Sequence, residues 1–391
     1  MLVVGGGPAG AATAIGLAGR GRDVLVLERA PAWRWRACGV FTSPATVAAL
    51  RRVGLVDRDL AAVARRIPAM RVETATGTRF RLTYGDDGSL ARAAVGLDRS
   101  ALDPLLLERA RAAGAEVREG VTVRSVRDGR AQLADGSEIA ARVIVGADGL
   151  RSVVARDAGV ARRPPLGDRP ALTFHVADPE PDQVRDARMI TFDGGYVGLA
   201  PVPGGRVNVG IVLASRGWRD RLRQDGAAAV AAAVMAAIPP ADDDGVPWTS
   251  PRICDGLEGA SPVGSRVARR AGDRWLLVGD AAGFLDPFTG EGLHRALRSA
   301  DLAANAIDRH LAGEPGTLVA YDRGVVRRTR AKDVVSLLVQ AFLEVPPLFD
   351  YAARRLADRP AVRETMGLVI GDLAPASTAL DPRFLAGLLR P

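Results

Sequence analysis

The most restrictive feature of this chain lies at its start. Leu2-Val3-Val4 runs into Gly5-Gly6-Gly7-Pro8-Ala9-Gly10, small residues continue to Leu17, Gly19-Arg20-Gly21 turns the chain, and Val24-Leu25-Val26-Leu27-Glu28 returns. The order predicts strand, glycine turn, helix and strand, a nucleotide-binding unit. Gly5 permits the tight turn, Gly7 lets a pyrophosphate approach the backbone, and Gly10 lets the helix pack closely on the sheet. The helix N-terminus offers unsatisfied N–H groups and a positive dipole end. Glu28 ends the second strand where an acid that holds a ribose hydroxyl is expected, and a carboxylate there disfavours a 2'-phosphate. Only four residues precede Gly5, so the first strand is short, as a start site set slightly late would make it.

Two later apolar strands end in a similar way. Val143-Ile144-Val145 opens onto Gly146-Ala147-Asp148-Gly149, and Trp275-Leu276-Leu277-Val278 opens onto Gly279-Asp280. The second continues through Asp286-Pro287-Phe288-Thr289-Gly290-Glu291-Gly292-Leu293 into a long helix from about Glu291 to Leu311. Both place a carboxylate and flexible backbone at the carboxyl edge of a sheet, where ligands bind in such folds. Neither repeats the first glycine pattern, so one tightly bound dinucleotide is expected. In the loop after Glu28, Arg36 is a candidate for a ribose or phosphate contact. Cys38-Gly39 is a candidate for close approach to a cofactor ring, a buried structural cysteine being the equal alternative.

Between these motifs the pattern changes to strict alternation. Met70 to Tyr84 reads as a hairpin, and residues 171–214 read as antiparallel strands joined by Gly-rich turns. Such a sheet suits a substrate, with Phe174, His175, Met189, Phe192 and Trp248 as candidate lining residues. His294, just after the Gly290-Glu291-Gly292 turn, is a candidate catalytic group, as is Cys38; a polar residue in the first turn of a helix is the plainer account of His294.

Composition narrows the class. The 391 residues suffice for about two domains. No apolar run approaches the ~18 residues that span a bilayer, and the glycine motif begins at once with no signal peptide ahead of it, so a cytoplasmic protein is expected. Two cysteines cannot form a disulfide framework. The net charge of +8 is spread along the chain, and Lys332 is its one lysine. This argues against nucleic-acid binding. The densest basic cluster, Arg323 to Lys332, reads as a solvated helix face, with peripheral membrane contact as the alternative.

The three glycine motifs together resemble the FAD-dependent oxidoreductases that include the aromatic hydroxylases typified by p-hydroxybenzoate hydroxylase and the geranylgeranyl reductases. The resemblance spans almost the whole chain. It implies an α/β (overall α+β) fold: a Rossmann-like FAD-binding domain made of residues 1–68, 95–170 and 265–320, an inserted antiparallel substrate-binding sheet from 69–94 and 171–264, and a helical C-terminal segment, 321–391. It implies non-covalent FAD held by Gly5, Gly7, Ala9, Gly10, Glu28, Arg29, Arg36, Cys38, Arg99, Asp148, Gly149, Gly279 and Asp280. Pro287, Gly290, Glu291, Gly292 and Leu293 would lie beside the isoalloxazine, with the helix N-terminus facing its N1 and O2. NAD(P)H is the implied transient reductant and a small organic molecule the substrate. The first expectation is a monooxygenase of secondary metabolism that hydroxylates an aromatic or polyketide-like molecule with oxygen through a flavin C4a-hydroperoxide. The alternative is reduction of an isoprenoid-type alkene, which Cys38-Gly39 and the Gly-Glu-Gly turn favour. A third reading is an FAD-containing interaction or membrane-peripheral protein without turnover. Halogenation is discounted: Trp33-Arg34-Trp35-Arg36 is not the tryptophan-x-tryptophan-x-isoleucine-proline stretch of the flavin halogenases, and Lys332 lies in the C-terminal segment.

Overall fold

A computed structural model describes residues 1–37, 39–85, 87–90, 93–239 and 253–390. Cys38 and Trp248 lie outside the described residues. The opening unit forms as its pattern dictates, with strand Leu2–Val4, helix Pro8–Ala18 and strand Leu25–Glu28. Strands Ile144–Gly146 and Trp275–Leu277 align beside the first strand in parallel, and Glu116–Glu119 flanks the second. The result is a five-stranded parallel sheet in which three chain segments distant in sequence end at one edge. Helix Gly292–Leu311 packs across helix Pro8–Ala18, both lined with small residues.

The alternating segments build a seven-stranded sheet. The hairpin Ala69–Glu73 and Arg79–Thr83 joins it through a parallel pairing with Ala187–Phe192, and the rest is antiparallel. Alternation gives the sheet two apolar faces. Leu172, Phe174, Val176, Val197 and Val209 pack against helix Arg216–Ala237. Met189, Tyr196, Ala200 and Val212 face the C-terminal helices. That C-terminal part begins earlier than its composition suggests, because one continuous helix runs from Thr317 to Leu343 and a boundary at 320 would cut it. Helices Pro346–Asp358 and Pro360–Ile370 follow and pack on the hairpin strand Arg79–Thr83. Helix Arg216–Ala237 is broken at Gly226, whose φ of 83° lies in the left-handed region.

A small third sheet, Phe41–Thr42, Ala94–Leu97 and Ala64–Ile67, meets the seven-stranded sheet where strand Ala94–Leu97 contacts Gly195–Val202. A side chain on Gly96 would overlap the Pro201 carbonyl and lie 3.3 Å from Val202. Gly96→Ala should therefore destabilise the protein by about 1–3 kcal/mol through overpacking of backbone that cannot yield. Urea unfolding monitored by tryptophan fluorescence checks this; wild-type stability would show that the crossing is loose.

Candidate functional site

The three glycine turns converge at the carboxyl edge of the parallel sheet. Gly5 has φ +104°, and a Cβ there would overlap the Ala147 carbonyl. A Cβ on Gly10 would overlap the Gly5 carbonyl, and one on Gly279 would lie 2.8 Å from Ala9 Cβ. Gly7 is the exception, since nothing lies within 4 Å of the place its Cβ would take. The first turn of the helix beyond it has no side-chain cap and no acidic residue. An open backbone face next to uncapped N–H groups is an anion site.

Glu28 lies across this turn, 7% exposed. Its Oε2 accepts from Gly6 N–H (2.7 Å), its Oε1 accepts from Ala30 N–H (3.0 Å), and Arg36 stands 3.6 Å away. Arg29 is exposed. Arg99 is held by both oxygens of Asp103 and donates to the Gly39 carbonyl, with 11% of its side chain exposed.

Asp280 is the distinctive group. Among the described residues its carboxylate has no hydrogen-bond or ion-pair partner. Burial pushes its pKa above the ordinary carboxylate value, against the pull of Arg99 and Arg295. Asp148 is placed differently. One oxygen accepts from Val153 N–H (2.6 Å), at the start of a short helix, and the other is buried without a partner. Its pKa is also raised, chiefly by burial. Gly149 beside it has φ +78°.

Helix Gly292–Leu311 begins without a side-chain cap, after Gly290 in the left-handed conformation. Pro287 opens the single 3-10 turn that leads there. Two residues expected beside the ring, Glu291 and Leu293, turn their side chains away from this edge. The Glu291 side chain turns inward to Arg295 (3.1 Å) and Ser336, and Leu293 is a core residue, so both offer the edge only backbone. His294 is largely buried with an unpartnered Nδ1, amid the charges of Asp372, Arg298, Lys332 and Arg52.

The substrate candidates separate by face. Phe174 and Phe192, expected to line a pocket, lie on the face covered by helix Arg216–Ala237, and Phe192 packs edge-on against Trp218. Strand alternation puts their neighbours on the opposite face. There, His175 Nδ1 pairs with Asp255 (2.5 Å), Asn208 approaches its Nε2 at 3.4 Å, and Trp35 stacks with ring centroids 4.4 Å apart. Met189 shares that face. Gly198 and Gly210 pair in register on two central strands and stay partly exposed, with no atom nearer than 3.6 Å to either Cβ position. This face of the sheet is therefore partly open at its middle, where a Gly198 side chain would meet Met189 at ordinary contact distance.

A hub not expected from the sequence stands next to that partly open middle. Asp286, 2% exposed, accepts at Oδ1 from the Tyr196 hydroxyl (2.6 Å), Gln340 Nε2 (2.8 Å) and Phe288 N–H (2.9 Å). Arg169 lies 3.7 Å from its Oδ2, which has no hydrogen-bond donor, and bonds Gln340 and Glu344. Burial raises the Asp286 pKa, and burial with the nearby carboxylate raises that of Tyr196 well above its ordinary value. The Asp-Pro pair in a glycine loop was the available signal.

Three glycine turns at one sheet edge, an open backbone face, a half-buried carboxylate without a partner among the described residues and two uncapped helix ends fit FAD, with its pyrophosphate and ribityl hydroxyls. A site built in this way is that of a dinucleotide-dependent oxidoreductase. The model of the FAD binding domain family matches residues 1–337, and the chain belongs to that family. Menaquinone reductase of Mycobacterium tuberculosis (strain ATCC 25618 / H37Rv) is 30% identical over 353 residues, 84% of this chain and 82% of that protein. Digeranylgeranylglycerophospholipid reductase 2 of Methanopyrus kandleri is 32% identical over 336 residues, covering 79% and 77%. The solved structure of CmlS, a flavin-dependent halogenase, has a TM-score of 0.73 at 26% identity over 84% of this chain, and the chain spans 62% of that protein's length. The protein is an FAD-dependent oxidoreductase.

Asp280→Ala should weaken FAD binding about ten- to a hundredfold, the loss of a hydrogen bond to a charged group, as read by flavin fluorescence titration. Unchanged affinity would remove Asp280 from the site. A second expectation concerns pH. Burial lowers the His294 pKa below the ordinary imidazole value. The stabilisation that comes from its neutral form is then complete above the unfolded value of about 6.5 and is lost as pH falls through the folded value. Between pH of about 7.5 and about 5, wild type should lose more stability to urea than His294→Gln; parallel losses would contradict the assignment.

Proposed function

We propose that the protein reduces carbon–carbon double bonds of an isoprenoid-type lipid, using FAD and NAD(P)H. The observation that carries this reading is the pair of partly exposed glycines Gly198 and Gly210, on a sheet face whose surroundings are apolar and aromatic: Met189, Phe288, Phe342 and Phe349. Such a wall suits an unfunctionalised hydrocarbon chain. It supports reduction over the hydroxylation that the sequence first suggested, and the two reductases named above point the same way.

Bound FAD would accept electrons from NAD(P)H and supply a hydride. In this reading the Gly5 to Gly10 turn and its helix hold the pyrophosphate, Glu28 the adenosine ribose and Asp280 the ribityl chain. The uncapped N-terminus of helix Gly292–Leu311 would supply fixed N–H groups that stabilise negative charge on the reduced ring without reorganising. Saturating an alkene also requires a proton. Asp286 is the group suited to hold one, since its Oδ2 lacks a donor and burial favours its neutral form. Tyr196, two residues from Gly198 on the same face, connects Asp286 to the partly open middle of the sheet.

Halogenation is not supported by the one lysine. Lys332 Nζ is committed to the carbonyls of Val369 and Ile370 and to Asp372 (2.7 Å). Hydroxylation stands second, because the His175–Asp255–Asn208 cluster gives the same face a polar end that could orient a functionalised ring.

Anaerobic incubation of the NADPH-reduced enzyme with polyprenyl quinones or geranylgeranyl lipids, followed by mass spectrometry, separates the two. Reduction predicts a product heavier by two hydrogens, formed without air. Asp286→Asn should slow that step by about a hundredfold, the lower range for a general acid, while retaining flavin. A product formed only in air and heavier by one oxygen atom would overturn the proposal in favour of hydroxylation.

A further inference from the structure

The outward face of helix Thr317–Leu343 carries a charge and hydropathy gradient that the flavin site does not use. At 100° per residue, Arg323, Arg327, Arg330, Val334, Leu337, Leu338 and Ala341 fall within about 60° of one line along the helix. All are exposed. The buried positions of the same helix, including Val335, Ser336 and Gln340, face the protein. The first half of the stripe is basic and the second is apolar.

Beyond Leu343 the chain bends by 117° into helix Pro346–Asp358, and the bend is apolar too. Val345 is 49% exposed and Leu348 38%, next to exposed Pro346 and Pro347. Leu337 and Leu338, at 38% and 41%, continue that surface along the helix. Among the described residues, no single helix is long and apolar enough to cross a membrane. The pattern is one of lying on an interface.

The charges decide what covers this face. The acidic residues of the stretch are taken up by arginines from other parts of the chain: Asp322 by Arg270, Asp333 by Arg295 and Glu344 by Arg169. Arg323, Arg327 and Arg330 have no carboxylate partner among the described residues. An apolar ridge flanked by uncompensated arginines complements a layer whose surface is anionic and whose interior is hydrocarbon.

We propose that this face docks the protein on an anionic lipid bilayer, with the apolar bend entering the headgroup boundary and the three arginines meeting lipid phosphates. The proposal goes beyond the reaction and does not depend on it, because vesicle binding is measured without turnover.

The test is flotation of the FAD-loaded protein with vesicles of phosphatidylcholine containing about one-third phosphatidylglycerol, and with phosphatidylcholine alone. Binding should require phosphatidylglycerol and weaken with salt. Arg323→Ala/Arg327→Ala/Arg330→Ala should lower it about a hundredfold, and Leu337→Ser/Leu338→Ser by at least about tenfold. These positions are exposed, and an unchanged flavin spectrum shows that each variant is folded. Equal binding to neutral vesicles, indifference to either variant or no binding would each overturn the proposal. So would a dimer that Leu337→Ser/Leu338→Ser converts to monomer, in a protein that ignores vesicles, since a second copy would then cover the face.

Discussion

The packing of helix Pro8–Ala18 against helix Gly292–Leu311 is the contact on which the rest of the structure depends. Both helices present Ala and Gly to each other; a Cβ on Gly16 would lie 2.9 Å from Ala304 Cβ. This close approach fixes where each helix begins. It therefore fixes two uncapped N-termini, more than 280 residues apart in the chain, at the same edge of one sheet. Small residues lose little side-chain entropy on burial. Close packing then returns dispersion energy over the whole contact. The cofactor edge is thus made from tightly packed backbone, which leaves its N–H groups oriented before any ligand arrives.

The second constraint is electrostatic. Asp148, Asp280, Asp286 and Glu291 all have carboxyls raised chiefly by burial, and all lie on loops leaving the carboxyl edge of the parallel sheet. They are compensated unequally. Glu291 has Arg295 beside it, and Asp286 has three donors on one oxygen, whereas the Asp280 carboxylate has no hydrogen-bond partner among the described residues. A buried carboxylate without a partner opposes folding. Its persistence at the meeting point of the glycine turns is what distinguishes a ligand group from a structural one.

The glycine turns were legible because their cause is local: a positive φ or a backbone approach excludes every other residue, whatever surrounds it. The parallel strands and the two long helices beside them follow from the same local pattern. The substrate sheet was legible only as a sheet. Alternation shows that Phe174 and His175 face opposite ways, but which face stays partly open depends on what covers each. That is settled by helix Arg216–Ala237 on one side and the C-terminal helices on the other, at large sequence separation. The same reason hid Tyr196, Asp255 and Gln340. Each acquires its role from a partner 54 to 90 residues away, with no motif to announce it.

The C-terminal segment reads from composition as a tail, yet its contacts pack it on one face of the seven-stranded sheet. Lys332 ties the carbonyls of Val369 and Ile370 to Asp372, and Asp372 accepts from Ser43 (2.8 Å), at the start of the helix that abuts Gly292–Leu311. A Cβ on Gly367 would overlap the Thr83 carbonyl, so helix Pro360–Ile370 lies directly on the hairpin edge of the substrate sheet. Lys332 is 6% exposed, and these oxygens hold its ammonium. Removing one partner from such a cluster leaves the others desolvated and unpaired, which costs more than the bond itself returns. The cluster therefore behaves as a latch: it holds the last helices on the seven-stranded sheet while the opposite face of helix Thr317–Leu343 stays outside, still carrying its arginines and its apolar ridge.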